Sequence, residues 1–184
     1  MPDDASSFTS LSGRVLAAAP ELLDPNFHQS LIWVAEHSED EALGFILNRP
    51  IDKTLGEVAG GPGLTDALRQ IPLGFGGPVR PDQLALVLFQ GGPAGWHCTW
   101  GLPPEKLETH LADPQCRVRA FLGYAGWGEG QLDRELREGA WRVLEPDPAM
   151  LDPTWARGLW SLLVAGDQRW KILRSYLPRD AQSN

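Results

Sequence analysis

The chain has 184 residues, 42% of them hydrophobic and 22% charged, a composition that excludes intrinsic disorder and fits a single domain with a sizeable core. Acidic residues outnumber basic ones 24 to 16, and the resulting charge of -8 argues against a stand-alone nucleic-acid binder, whose affinity comes from neutralising phosphates. Cys98 and Cys116, the only cysteines, form no C-x-x-C pair, so neither a disulfide framework nor a thiolate zinc site is expected.

Residues 1–10 read as a polar arm and residues 11–184 as one domain, since no linker, charge run or repeat divides them. The start lacks the positive charge and apolar run of a secretory signal, and no later run reaches the ~18 apolar residues of a membrane helix. With two free thiols, this predicts a cytoplasmic protein. A first strand is expected at 14–18. The clearest local signal follows, a hairpin made by the apolar runs 31–35 and 42–47 around the charged turn 36–41. Pairing Ala35 with Ala42 sets Asn48 beside Gln29 and Ser30, with His37 at the far end, about 20 Å away at ~3.3 Å per residue. Arg49 then lies near Asp24 and is expected to clamp its carboxylate, unless it is kept for a substrate anion.

Thr54 and Glu57 form a possible capping box. Gly-Gly-Pro triplets beginning at Gly60, Gly76 and Gly91 read as turns. Further strands are expected at 84–89, 98–101, 117–122 and 141–144. Pro103 and Pro104 open a helix carrying Leu107 and Leu111, and Asp152 with Pro153 precedes another with Trp155, Leu159, Leu162 and Leu163. A helix over 131–138 presents Leu132 and Leu136 to the core, pairs Asp133 with Arg137 and stops at Gly139. Strands interleaved irregularly with helices, plus one antiparallel hairpin, predict an α+β fold.

The segment Gly123-Tyr124-Ala125-Gly126-Trp127-Gly128-Glu129-Gly130-Gln131 joins a buried strand to a helix start and matches neither G-x-G-x-x-G nor G-x-x-x-x-G-K-[ST]. Acidic residues at its helix end repel an anion. Its glycines let the chain bend close to the sheet while Trp127 fills a gap; alternatively, Tyr124, Trp127, Gln131 and Glu135 set two aromatic faces beside an amide and a carboxylate. His37 reads as a solvated turn residue. The four histidines match no metal-binding spacing and no G-x-S-x-G elbow is present, so no metal, cofactor or serine nucleophile is expected.

Taken in order, Asp24-Pro25-Asn26-Phe27, Glu36-His37, Gly44-Phe45-Ile46-Leu47-Asn48-Arg49-Pro50, Gly76-Gly77-Pro78-Val79, Leu122 to Trp127 and Gly130-Gln131-Leu132 with Glu135-Leu136 and Trp141 resemble the bacterial YqgE/AlgH family over roughly residues 11–145. The resemblance implies a single domain with a bifurcated, partly barrel-like sheet surrounded by helices, in a family often labelled as transcriptional regulators and without an established catalytic set. This chain departs from the family where Leu88 and Phe89 replace a Leu-His pair, and in a Trp-rich tail with Trp155, Trp160 and Trp170. The expected function is regulation or interaction through an unknown protein or small-molecule partner, with neither nucleic acid nor membrane. The expected surface gathers Asn48, Arg49, Gly76 and Gly77 with Gly123, Tyr124, Gly126, Trp127, Gln131 and Glu135. The competing expectation is an enzyme acting on a small anionic substrate with Glu135 as acid or base.

Overall fold

Runs of apolar residues too short for helices and apolar on both sides require a sheet covered on both faces. The computed structural model describes residues 8–60 and 63–164, and in it nine strands form one mixed sheet. The chain passes through β1 (Val15–Ala18), β2 (Leu31–His37), β3 (Ala42–Ile46), β4 (Pro50–Thr54), α1 (Leu55–Val58), α2 (Asp66–Arg69), β5 (Pro72–Phe75), β6 (Val79–Gly92) and β7 (Gly95–Trp100). It continues through α3 (Pro104–Glu108), β8 (Cys116–Trp127), α4 (Gln131–Arg137) and β9 (Trp141–Leu144), then two 3-10 turns and α5 (Leu159–Val164). The fold is α+β, as expected.

The principal strand order is β4-β5-β8-β3-β2-β1-β9, with β6 pairing both β8 and β7. Only β5 and β8 run parallel. β8 pairs β5 through residues 120–122 and β3 through 125–127, so the sheet forks along one long strand and stays open. At the fork the Gly76 carbonyl accepts from Ile46 N at 2.9 Å while its N–H reaches Leu122 O at 2.8 Å, tying β3 to β8. Bulk at this point is excluded sterically: a Cβ on Gly77 would lie 2.2 Å from the Tyr124 carbonyl carbon.

The expected alternation holds in β2. Leu31 and Trp33 enter one core cluster with Phe45, Phe89 and Phe121, whereas Ile32 and Val34 enter another with Leu16, Ile46 and Trp127. Each such side chain contributes about 1.5–3 kcal/mol on burial. The hairpin register differs from expectation. Ala42 pairs with His37, not Ala35, because β2 runs on to His37 and only residues 38–41 turn, and Ala35 is left in a bulge between the Val34 and Glu36 pairs. The apolar run 31–35 has the pattern of a continuous strand, and such a pattern does not reveal an extra unpaired residue.

Other departures follow from backbone demands. β8 continues through Trp127, so Tyr124 to Trp127 are strand and not the turn that their glycine density indicated. The Pro153 segment forms a 3-10 turn, and α5 begins later, at Leu159. α4 and the Thr54–Glu57 capping box match the reading. Trp160 donates to Ala18 O at 2.8 Å, while the Trp155 side chain and all of Trp170 lie outside the described residues. Arg119, 3% exposed, binds the carbonyl of Leu151 at 2.8 Å and stacks on Phe121, joining the C-terminal turns to β8. No helix among the described residues is long and apolar enough to cross a membrane.

Candidate ligand-binding cleft

The residues expected to form one surface separate into three places. At the open end of the hairpin, Asn48 is buried and both ends of its amide are occupied: Oδ1 accepts from Leu31 N and Nδ2 donates to Gln29 O, each at 2.8 Å. Arg49 donates to the carbonyls of His28 and Gln29, the latter at 3.4 Å. It does not clamp Asp24, whose carboxylate instead accepts from Asn26 N at 2.8 Å within its own turn. Main-chain carbonyls of a tight turn outcompete a carboxylate committed to closing that turn. Asn48 and Arg49 therefore brace the approach to β2, and desolvation holds the Arg49 pKa below its ordinary value. Asn48→Ala is expected to cost about 1–3 kcal/mol in urea denaturation, because the buried Leu31 N–H loses its partner.

The second group lies near the hairpin turn. Trp127 pairs with Ala42, and Asn48 is six residues farther along, about 20 Å of strand. Glu135 Oε2 accepts from Trp127 Nε1 at 2.9 Å and from Trp141 Nε1 at 2.8 Å, while Oε1 accepts from Gln131 Nε2 at 2.8 Å. Gln131 in turn accepts from Gly128 N at 3.1 Å, and Phe27 packs on both indoles. This carboxylate is a hub for the packing of α4 on the sheet. Asp133 does not pair with Arg137; it faces His37 Nε2 at 3.8 Å.

His37 is not the solvated turn residue expected from its charged neighbours. The bulge in β2 turns it inward, where its side chain is 2% exposed. Nδ1 accepts from Leu11 N at 3.1 Å, its carbonyl accepts from Ser10 Oγ at 2.9 Å, and Phe8 meets the ring edge-on. Burial lowers the His37 pKa from its ordinary 6.5, against an opposing pull from Asp133. The unfolded chain therefore takes up this proton first, so His37 contributes stability above pH 6.5 that is lost as the pH falls from there toward the folded value. Melting temperature measured across that window should fall more steeply in the wild-type chain than in His37→Asn, which cannot titrate.

The third place is open to solvent and is organised by Tyr124. Two adjoining clefts share Leu43 and Tyr124. One, of about 230 Å³, has Phe45, Leu84, Ala85 and Trp100 as apolar walls and Arg80 and Gln83 at its rim. The other, of about 210 Å³, is bounded by Glu36, Glu41, Val79 and Trp127. Leu84 and Trp100 are 39% and 41% exposed, and the two adjoin in the wall of the first cleft. Trp100 is held in place by donating to Glu36 Oε1 at 3.0 Å.

Local irregularities build this cleft. β6 and β8 pair regularly up to Leu84↔Leu122, but the next pair is Val79↔Tyr124, so residues 80–83 bulge away from the sheet. Pro81 cannot donate to the ladder, and Gly123 takes φ +69 opposite it. Sequence reasoning found Tyr124, Gly123, Gly126 and Trp127 but missed Arg80, Gln83, Leu84, Trp100, Glu36 and Glu41. The proline inside an otherwise strand-like run, Val79 to Phe89, is the signal that marks the bulge.

Neither thiol is prepared for nucleophilic work. Burial pushes Cys98 up to about 12, and burial together with Asp113 raises Cys116, although His110 Nδ1 lies 3.8 Å from its sulfur. Among the described residues no three His, Cys, Asp or Glu side chains converge as metal ligands. The cleft offers apolar contact, one guanidinium and two carboxylates.

Comparison with known proteins bears on the whole chain. A family profile described as AlgH-like matches residues 15–166, running past residue 145, where the motif resemblance thins. A UPF0301 protein of Streptomyces coelicolor is 37% identical over 174 residues, covering 83% of this chain and 84% of its own. One from Thermobifida fusca is 42% identical over 175 residues, covering 84% and 86%. The solution structure of the AlgH protein from Pseudomonas aeruginosa aligns with a TM-score of 0.63 at 27% identity, covering 96% of this chain and 98% of its own. A crystal structure of protein DIP2367 from Corynebacterium diphtheriae, at 24% identity and TM-score 0.67 over 87% and 88% of the two chains, shares the fold. On the profile match and the curated relatives together, the chain belongs to the AlgH-like family.

Proposed function

We propose that the protein is a regulatory or interaction protein of the bacterial cytoplasm, acting by binding a partner group in the cleft divided by Tyr124. The observation that carries this reading is the exposure of Leu84 and Trp100 beside buried Phe45 in a concave site. Exposed apolar walls with a few polar groups at the rim are what a binding site needs and what a free surface avoids. The enzyme reading is weaker, since both oxygens of Glu135 are already taken by protein donors and neither cysteine favours its thiolate.

A thermal-shift screen of aromatic and aliphatic fragments against wild type and Leu43→Arg tests the reading, because a ligand of the folded form raises the melting temperature. Leu43 lines both clefts at the edge of the core, so arginine there fills them, and the wild-type and variant shifts are each read against that protein's own ligand-free melting temperature. Fragments that stabilise wild type and not the variant support the reading. Fragments that stabilise both equally, or none that stabilise either, overturn it.

A further inference from the structure

Two departures from regular pairing converge on the cleft from opposite sides. In β2, the bulge at Ala35 sets Glu36 out of the alternation that the strand otherwise keeps. In β6, the bulge over residues 80–83 lifts Arg80, which takes φ +47, a left-handed conformation that is unfavourable for a non-glycine residue. Bulges re-aim side chains, and a strained cationic residue kept where glycine would fit more cheaply points to use of its side chain.

Charge is divided accordingly. Arg80 stands at the rim of the lobe walled by Phe45, Leu84 and Trp100, whereas Glu36 and Glu41 flank the lobe on the other side of Tyr124. None of the three has an ion-pair partner among the described residues. The volumes are also informative. The lobes, of about 230 and 210 Å³, meet at Leu43 and Tyr124, and each by itself has room for a single large side chain. Side chains two apart in an extended chain face the same way, so consecutive lobes fit consecutive same-face residues.

We propose that the cleft takes an extended peptide segment of a partner protein with alternate basic, apolar and acidic side chains: the basic one between Glu36 and Glu41, the apolar one against Phe45 and Trp100, the acidic one on Arg80. This rests on the reading of the cleft as the binding site and specifies its occupant. The charged ends fix register and orientation, and the apolar side chain supplies most of the affinity.

The test uses end-blocked pentapeptides, Lys-Ser-Phe-Ser-Glu and the reverse order, titrated into the full chain by fluorescence or calorimetry. Neutral partners carry Gln for Lys or for Glu. One charged order is expected to bind, and losing either charge should weaken it roughly fivefold to tenfold, an effect of about 1–1.4 kcal/mol. Glu41→Gln should remove the preference for Lys over Gln but leave that for Glu, and Arg80→Gln the converse, as a double-mutant cycle requires. If the neutral peptide binds as well as the charged ones and Leu43→Arg abolishes all binding, the cleft reading stands and the bipolar occupant is wrong. No binding by either charged order likewise overturns the occupant, and the fragment screen then decides the cleft separately.

Discussion

Gly77→Ala is expected to remove at least about 4 kcal/mol of stability, a large share of the about 5–15 kcal/mol that holds a domain folded. The added Cβ would lie 2.2 Å from the Tyr124 carbonyl carbon and 2.3 Å from Ala125 N, and both are main-chain atoms of β8 with no room to give. Gly123 approaches from the other side, its own added Cβ falling 2.3 Å from Gly77 O. Separating these chains would break the fork that joins β5, β8 and β3. Gly128→Ala provides the control, because its Cβ would meet nothing within 4 Å, and a change within about 1 kcal/mol is expected. Urea denaturation of the two variants beside wild type reads both effects.

Glu135→Ala is expected to cost about 3–5 kcal/mol. The substitution strands two indole N–H groups on tryptophans that are 4% and 5% exposed, each worth ~1–3 kcal/mol when left unpaired. Glu135→Gln keeps one oxygen for the indoles but turns an amide toward Gln131, so its loss should be smaller, ~1–2 kcal/mol. The folded fraction of either variant should keep the lobe walled by Phe45, Leu84 and Trp100, which no group bonded to Glu135 lines. A Glu135→Gln variant of unchanged stability that had lost ligand binding or turnover would instead return this carboxylate to the role of acid or base.

The difference between hub and reactive group shows how far the sequence alone reaches. The hairpin, β1, β9, α4 and the capping box were legible because alternation, caps and stop signals are local. β4, β5 and α2 were not, since Pro50 and Pro72 disguise short strands and residues 66–69 form only a single turn. The glycines from 123 onward advertise a bend, and Gly123 provides one within β8, as Gly128 and Gly130 do in the turn before α4, but Gly126 stays in strand because Gly76 and Gly77 press against the same backbone. Close approach between distant segments has no local signature.

Much the same explains the candidate site. Asn48, Arg49, Gln131 and Glu135 are polar residues in an apolar context, a pattern that draws attention as binding chemistry. Their partners proved to be main-chain groups and indoles of this chain, which makes them braces. Tyr124 is legible because it sits in a glycine-rich segment at the end of a buried strand, which is also part of the family motif. Arg80, Trp100, Glu36 and Glu41 reach it only through two bulges and a long β6–β7 hairpin, features that depend on pairing partners far along the chain.

Amide chemical-shift mapping of the isotope-labelled chain with the Lys-Ser-Phe-Ser-Glu peptide, in its binding order, reads directly where a partner segment touches the molecule. Perturbations concentrated at Leu43, Arg80, Gln83, Ala85 and Tyr124, with Asn48, Arg49 and Glu135 unmoved, are the predicted result. Perturbations centred on the Asn48–Arg49 brace or on the Glu135 hub, with the Tyr124 amide unaffected, would contradict it.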